Sequence, residues 1–387
     1  MIAKSIAKNK KGLYIHVPFC FSKCKYCDFN SWKKRSEAEV YEYLKVLDQQ
    51  FKVFNDNMKN SNWDTIYIGG GTPTCLSYEN LKRLFYTIES YCDLNKVEEF
   101  SIELNPNTSI VTDKKINFIS NFVNRVSIGL QTTQSRHLQV LGRTHSYEEF
   151  LQTYNLLQSA GIDNLNVDLI YGIPNQTVSD FNEDLDNLIK LQPTHISLYN
   201  LILEKDTPLE REVSKGKLES LDEEIEVEMY NIARVKLRES GYSHYELSNF
   251  SKPSYECKHN MLYWNRNNYL GLGPGAHSLW EGLRFVTVDD FTKYLKSKDM
   301  HDFIKEKWNI GFEEALSEKV ILGLRLVDGI DINEIKEEYG INIYKRYLST
   351  INYFISEGLL KKENTRIKLT TKGYMLSNNV FMEFLPS

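Results

Sequence analysis

Short β-branched or apolar runs alternate with longer amphipathic stretches from residue 13 onward, and this alternation limits the fold more than any other feature. The strand candidates are Leu13 to Val17, Thr65 to Ile68, Glu99 to Leu104, Arg125 to Leu130, Asn164 to Ile170 and His195 to Leu201. Between them run helical stretches such as Glu37 to Phe54, Tyr78 to Cys92, Tyr147 to Ala160 and Ser179 to Leu191, with Gly161 as a stop signal after the third. Such a pattern predicts an α/β fold in which helices wrap a parallel sheet. Six βα-type units imply a partial or full β/α barrel.

The chain has 387 residues, 41% of them apolar, enough for one large α/β domain and a smaller one. Its 47 basic and 52 acidic residues give a net charge of -5, which offers no electrostatic footprint for nucleic acid. The first twelve residues, MIAKSIAKNKKG, carry charge without an apolar core or small-residue cleavage site, and no later segment approaches the ~18 apolar residues of a membrane span. A cytoplasmic protein is therefore expected.

Three of the six cysteines crowd into the run Cys20-FSK-Cys24-KY-Cys27. In a reducing compartment such crowding points to metal ligation or redox work, whereas Cys75, Cys92 and Cys257 read as ordinary buried thiols. C-x3-C-x2-C supplies three thiolates from one short loop. A 4Fe-4S cube held by only three thiolates keeps one iron open for a further ligand. A zinc site wants four ligands; His16 or Asp28 could complete one, but the spacing matches no common zinc pattern.

Barrel enzymes carry their reactive groups at the carboxyl ends of strands. The informative residues fall there: the cysteine loop after the first strand, Gly69 to Pro73 after the second, Glu103 near the end of the third, Gln131 after the fourth and Asp168 late in the fifth. Glycine in the second of these lets the main chain approach a ligand closely.

Taken with the cysteines, these residues resemble the radical S-adenosylmethionine (SAM) superfamily, and specifically the oxygen-independent coproporphyrinogen III oxidase family, from about residue 12 to the C-terminal domain. The resemblance implies a radical SAM partial barrel with a 4Fe-4S cluster on Cys20, Cys24 and Cys27. SAM would chelate the open iron through its amino and carboxylate groups, and electron transfer to the sulfonium would release a 5′-deoxyadenosyl radical. It also implies SAM contacts from Tyr14, Tyr26, Gly70, Gly71, Thr72, Glu103, Gln131, Arg143, Asp168 and Ile202. Carboxylates at Glu103 and Asp168 can accept from amino and ribose hydroxyl groups, Arg143 can pair with the SAM carboxylate, and Tyr26 can pack on adenine.

The family includes decarboxylating oxidases and a branch of heme chaperones, and four features bear on the choice. The oxidases have a fourth cysteine in C-x3-C-x2-C-x-C, where this chain has Phe29. They also have a longer amino-terminal arm, whereas nineteen residues precede Cys20 here. His259-Asn260-Met261-Leu262-Tyr263-Trp264 fits the HNxxYW pattern of the chaperone branch, and Tyr269 to His277 fits its YLGxGxGAH run. A neutral imidazole at His259 could ligate heme iron, with Tyr263 and Trp264 packing on the macrocycle; His277 is a second candidate. His16, His145, His195 and His244 read as structural.

The resemblance thus implies a heme chaperone with heme as cargo and acceptor hemoproteins as partners. Coproporphyrinogen III oxidase is the alternative, and a radical SAM methyltransferase a third reading; a homodimer and peripheral membrane association stay open. Residues 1–310 are assigned to the barrel, with the heme-motif segment at 242–280, a Tyr, Trp and Gly-rich passage without a clear period. Residues 311–387 are assigned to a helix-rich, winged-helix-like domain with helices at Leu316 to Leu326, Ile332 to Tyr339 and Tyr344 to Glu357 and a strand at Arg366 to Thr370. From residue 312 on there are ten Lys and Arg against eleven Asp and Glu, so a structural cap or docking module is expected rather than a DNA reader.

Overall fold

A computed structural model describes residues 10–33, 36–57 and 62–386; the first nine residues, on which the expectations about a leader and a short arm largely rest, lie outside them. Strands β1 (Lys11–Val17), β2 (Thr65–Gly70), β3 (Glu99–Leu104), β4 (Arg125–Gln131), β5 (Leu165–Tyr171) and β6 (His195–Asn200) pair in parallel in chain order. Each lies within one or two residues of its sequence-based position at the amino end and within two at the other. The crossovers carry α1 (Glu37–Asn57), α2 (Tyr78–Tyr91), α3 (Asp113–Ile119), α4 (Tyr147–Ser159) and α5 (Val178–Leu191).

Local chemistry fixes these helices in place. Ser146 and Glu149 form a reciprocal capping box at the start of α4, and Thr177 and Asp180 form another at the start of α5. Gly161, just past α4, adopts φ +82°, a left-handed conformation that glycine takes without a Cβ clash. All seven residues of β4 are buried. Val126, Ile128 and Leu130 join the core beneath the helices, while the alternate positions Ser127, Gly129 and Gln131 face the barrel interior.

The passage read as irregular, Tyr242 to Trp280, is ordered instead. After α6 (Glu223–Glu239), strands β7 (Ser243–Glu246) and β8 (Asn249–Ser251) form an antiparallel pair on the β6 edge. Helix α7 (Lys258–Trp264) then leads to β9 (Asn268–Leu272), which pairs in parallel with the far side of β1. Strands β10 (His277–Trp280), β11 (Leu283–Thr287) and β12 (Ile304–Asn309) continue antiparallel from β9 and complete a twelve-stranded sheet. These strands are short, three to six residues of mixed polarity being too few to show an apolar period, and β9 also carries a glycine. Gly271 is required where β9 meets β10, because a Cβ there would lie 2.3 Å from the His277 carbonyl oxygen.

Helix α7 closes the amino-terminal end of the barrel. Its first turn is held by Glu99, whose carboxylate accepts from the backbone N–H groups of Lys258 (2.8 Å) and His259 (3.0 Å). Gly12 on β1 faces the helix so closely that a Cβ would meet Leu262 at 2.8 Å.

The C-terminal part has its own core around Leu316, Val320, Ile335, Ile351, Phe354 and Ile367. It runs α8 (Phe312–Leu324), β13 (Ile330–Asp331), α9 (Ile332–Tyr339), α10 (Leu348–Ser356) and the hairpin of β14 (Leu360–Glu363) and β15 (Arg366–Leu369), with β15 central in the small sheet. This is a winged-helix arrangement. The helix expected over Tyr344 to Glu357 is interrupted at Tyr347, whose φ of -109° leaves the helical region. Two main-chain bonds, Leu247 N–H to Arg325 and Val327 N–H to Tyr245, both 3.0 Å, fasten this part to the β7 edge. No helix among the described residues is long and apolar enough to cross a membrane.

Candidate functional site

The carboxyl ends of the parallel strands surround a cavity of about 390 Å³. Cys20, Cys24 and Cys27 lie on its wall, together with nine of the ten residues expected to meet SAM: Tyr26, Gly70, Gly71, Thr72, Glu103, Gln131, Arg143, Asp168 and Ile202. Tyr14 is the exception. It sits deeper in the barrel, where its hydroxyl meets His16 Nδ1 at 3.0 Å.

The cysteine loop rises from β1, with Cys20 buried and Cys24 and Cys27 half-buried, all three as free thiols. Burial pushes the Cys20 and Cys27 thiols up, so the thiolate forms call for a compensating positive charge. Gly71 approaches the loop closely; a Cβ there would lie 2.4 Å from the Phe19 carbonyl oxygen and 3.0 Å from Cys20 Sγ. Gly70, at φ +108°, would bring a Cβ within 2.6 Å of the His16 ring. The Gly-Gly pair is therefore a steric necessity of this corner.

Arg143 spans the loop and the sheet, donating from Nη1 to Cys24 Sγ (3.4 Å) and from Nη2 to the Gly129 carbonyl (2.6 Å). Gly129 makes room for it, since a Cβ there would be 3.0 Å from Nη2. Burial alone would lower the guanidinium, but Cys24 and Tyr26 outweigh it and hold the group charged. Its Nε is buried and has no hydrogen-bond partner among the described residues. Gln131, next to it, adopts φ +73°, a left-handed conformation uncommon for a non-glycine residue and found here where β4 bulges against β5.

Two carboxyl groups complete the interior. Glu103 accepts from Tyr67 Oη (3.0 Å) and the Gly70 N–H (3.1 Å), yet burial and the neighbouring Asp168 raise it to about 7. Asp168 is likewise raised by burial, opposed by bonds from Asn166 Nδ2 (2.7 Å) and Ser127 Oγ (3.3 Å). Ser127, Asn166, Asn105 and Tyr199 were not singled out in the sequence. The usable signal was their phase: Ser127, Asn166 and Tyr199, like Asp168, stand at alternate positions on strands whose other face is largely apolar, whereas Asn105 directly follows β3.

This donor set suits a 4Fe-4S cluster and a SAM-like ligand: three thiols on one loop, a glycine corner that admits no Cβ, and the inward-facing unpartnered Arg143 Nε and Asn105 Oδ1. Among the described residues no three His, Cys, Asp or Glu side chains converge on a single-ion geometry. A cluster does not require such convergence, because each of its thiolates binds a different iron. His16 is also committed, its Nε2 lying 2.8 Å from the Asn30 carbonyl.

His259, the first candidate for a heme ligand, is part of the barrel interior. It lies at the opposite end of the barrel from the cysteines, 1% exposed, with Nδ1 2.7 Å from Thr65 Oγ1 and Nε2 2.8 Å from Tyr263 Oη. Burial lowers it to about 3, so the ring stays neutral, and both nitrogens are already hydrogen-bonded. The ring forms part of the barrel floor, stacked on Tyr67. His145, His195 and His244 are hydrogen-bonded in the interior as expected of structural histidines.

Residues 14–188 match the family model described as the Radical SAM superfamily, and residues 313–376 match the HemN C-terminal domain. The protein "Heme chaperone HemW" of Lactococcus lactis subsp. lactis (strain IL1403) is 35% identical over 379 residues, covering 98% of both chains. The chain belongs to the HemW family of radical SAM proteins. A second member, "Heme chaperone HemW" of Bacillus subtilis (strain 168), is 34% identical over 97% of this chain and 99% of its own. Coproporphyrinogen III oxidase (HemN) from Escherichia coli has the same fold, with a TM-score of 0.85 at 21% identity over 97% of this chain and 90% of its own. Radical SAM membership implies the cluster and SAM as cofactors for the cavity just described.

Proposed function

We propose that the chain is a cytoplasmic heme chaperone, which takes up heme as cargo and passes it to acceptor hemoproteins. The observation that carries the reading is the end-to-end identity with relatives named for that role. Phe29, where the oxidases have a fourth cysteine, points the same way.

Cys20, Cys24 and Cys27 would hold the cluster, and Gly70, Gly71, Thr72, Glu103, Gln131, Arg143 and Asp168 would hold SAM, with Tyr26 and Ile202 at the mouth. When bound, the cluster supplies an electron that can cleave SAM to a 5′-deoxyadenosyl radical. The protein's own contribution is positional. Arg143 offers a fixed cation beside Cys24, suited to a carboxylate. Glu103 and Asp168 offer acceptors, and the buried pair shares its charge cheaply because Glu103 is poised near neutrality.

The test is anaerobic reconstitution followed by heme titration and a coproporphyrinogen assay on one sample. Iron and sulfide bound through the three cysteines, a stable heme spectrum and unchanged coproporphyrinogen are expected. Protoporphyrinogen formation would establish the oxidase alternative. Size exclusion and liposome flotation of the same material would decide on the homodimer and the membrane association.

A further inference from the structure

Beneath the cavity, the barrel interior holds a hydrogen-bonded chain that runs from Asp168 to the start of α7. Asn166 stands two residues before Asp168 on β5 and faces the same way. Its Nδ2 donates to Asp168 Oδ1 and to Ser127 Oγ, both at 2.7 Å. On its other side, Asn166 Oδ1 accepts from Ser197 Oγ at 3.1 Å and faces His195 Nδ1 at 2.6 Å. His195 is the register partner of Asn166 on β6 and is wholly shielded from solvent. Its Nε2 lies 2.8 Å from Tyr245 Oη on β7, and that hydroxyl accepts from the Cys257 N–H (3.2 Å) just ahead of α7.

The ends of this chain assign the protons between them. A carboxylate at Asp168 accepts, which turns Nδ2 of Asn166 toward it and leaves the amide oxygen facing His195. An amide oxygen also only accepts, so Nδ1 must carry the ring hydrogen. The ring carries just one, because burial, and after it the charge of Arg125, holds His195 well below its ordinary range. Nε2 is therefore the acceptor for the Tyr245 hydroxyl. Were the Asn166 amide to turn over, its oxygen would face the carboxylate and its NH2 group the Nδ1–H, two buried contacts of like with like. His145 differs, since its Nδ1 has no partner among the described residues.

We propose that His195 is a positioning residue for SAM: it acts through Asn166 to hold the Asp168 carboxylate in one orientation at the cavity wall. The proposal rests on SAM binding in that cavity, and His195 itself is not part of the wall. Burial raises Asp168, and the bond from Asn166 is the largest influence opposing the rise, so the same chain keeps Asp168 an acceptor. A ligand hydroxyl or amino group then meets an oxygen whose place is already set, and little ordering is left to be done on binding.

The experiment is a double-mutant cycle on the anaerobically reconstituted chain. It is read by equilibrium dialysis of SAM and by the change that SAM causes in the electron paramagnetic resonance of the reduced cluster, with circular dichroism and cluster iron content verifying folding. His195→Asn places an amide nitrogen where Nδ1 was, and His195→Gln places one where Nε2 was, so the first keeps the bond to Asn166 and the second loses it. His195→Asn is expected to bind SAM within about threefold of wild type, and His195→Gln about tenfold or more weaker. In an Asp168→Ala background, itself weakened, His195→Gln is expected to add less than about twofold, because no carboxylate remains to be positioned. Unchanged affinity in His195→Gln, equal losses in both histidine variants, or the same loss with and without Asp168 would refute the positioning role and leave SAM binding standing. A reconstituted wild type that binds no SAM would instead overturn the assignment of the cavity. Should His195→Gln not fold, Asn166→Ala decides, since unaltered SAM affinity in that variant would break the chain at its first link.

Discussion

Replacing Glu103 by Gln should change the pH dependence of stability by a calculable amount. The carboxyl group is raised from 4.5 to about 7, first by burial and second by Asp168, against the bonds from Tyr67 and Gly70. A folded state that binds the proton more tightly than the unfolded one is favoured at low pH. That stability is fully present below 4.5, declines as pH rises, and is gone above about 7. At ~1.4 kcal/mol per pH unit, the interval from 4.5 to about 7 corresponds to about 3 kcal/mol. Glutamine does not titrate, so the variant escapes the decline, although its amide strands one of two donors at a constant cost of about 1–3 kcal/mol. Asp184, raised to about 6 chiefly by burial, and the buried histidines titrate in both proteins and cancel in the difference. Urea unfolding of the apo chain at several pH values, followed by circular dichroism, measures that difference. Stability of the variant relative to wild type should climb by about 3 kcal/mol between acid and alkaline limits. A flat difference, or a fall, would refute the reasoning that Glu103 is held partly protonated by its surroundings.

Other substitutions test other parts. Gly71→Ala should drive the cysteine loop off Phe19 and Cys20, cost about 1–3 kcal/mol and lower cluster iron, read by thermal melts and iron content. Cys27→Ser should fold normally but lose the iron–sulfur absorbance after reconstitution. His259→Ala should cost about 2–4 kcal/mol in thermal melts, because Thr65 and Tyr263 lose their partner and a cavity remains. Since burial depresses His259, its neutral form contributes stability above 6.5 that is lost as pH falls toward about 3, and His259→Gln should be less acid-sensitive in the same melts.

The barrel strands were legible because apolar, often β-branched residues recur at every second position, as in Val126, Ile128 and Leu130 of β4 or Leu165, Val167 and Leu169 of β5, between stretches of helical period. The seventh parallel strand, β9, was not, because Asn268–Leu272 is short and carries the glycine its close crossing demands. The cavity followed from the rule that loops after parallel strands converge, which brought Gly70, Glu103, Gln131 and Asp168 to one wall. Residues that support them, such as Ser127 and Asn166, were hidden inside strands as unremarkable polar positions. His259 shows the other limit. A histidine in a motif looks the same whether its nitrogens are free or already bonded, and only Thr65, distant in sequence, and Tyr263 on the next helical turn reveal that they are bonded.

The most direct test of heme carriage is transfer. The reconstituted chain is loaded with heme, freed of excess by gel filtration, and mixed anaerobically with an apo-hemoprotein of the same cell while the acceptor's spectrum is followed. Transfer to the acceptor faster than from a non-specific heme binder such as serum albumin, with coproporphyrinogen left intact in a parallel sample, is the expected result. Heme that never associates with the chain, or never reaches the acceptor while coproporphyrinogen is consumed, would contradict it.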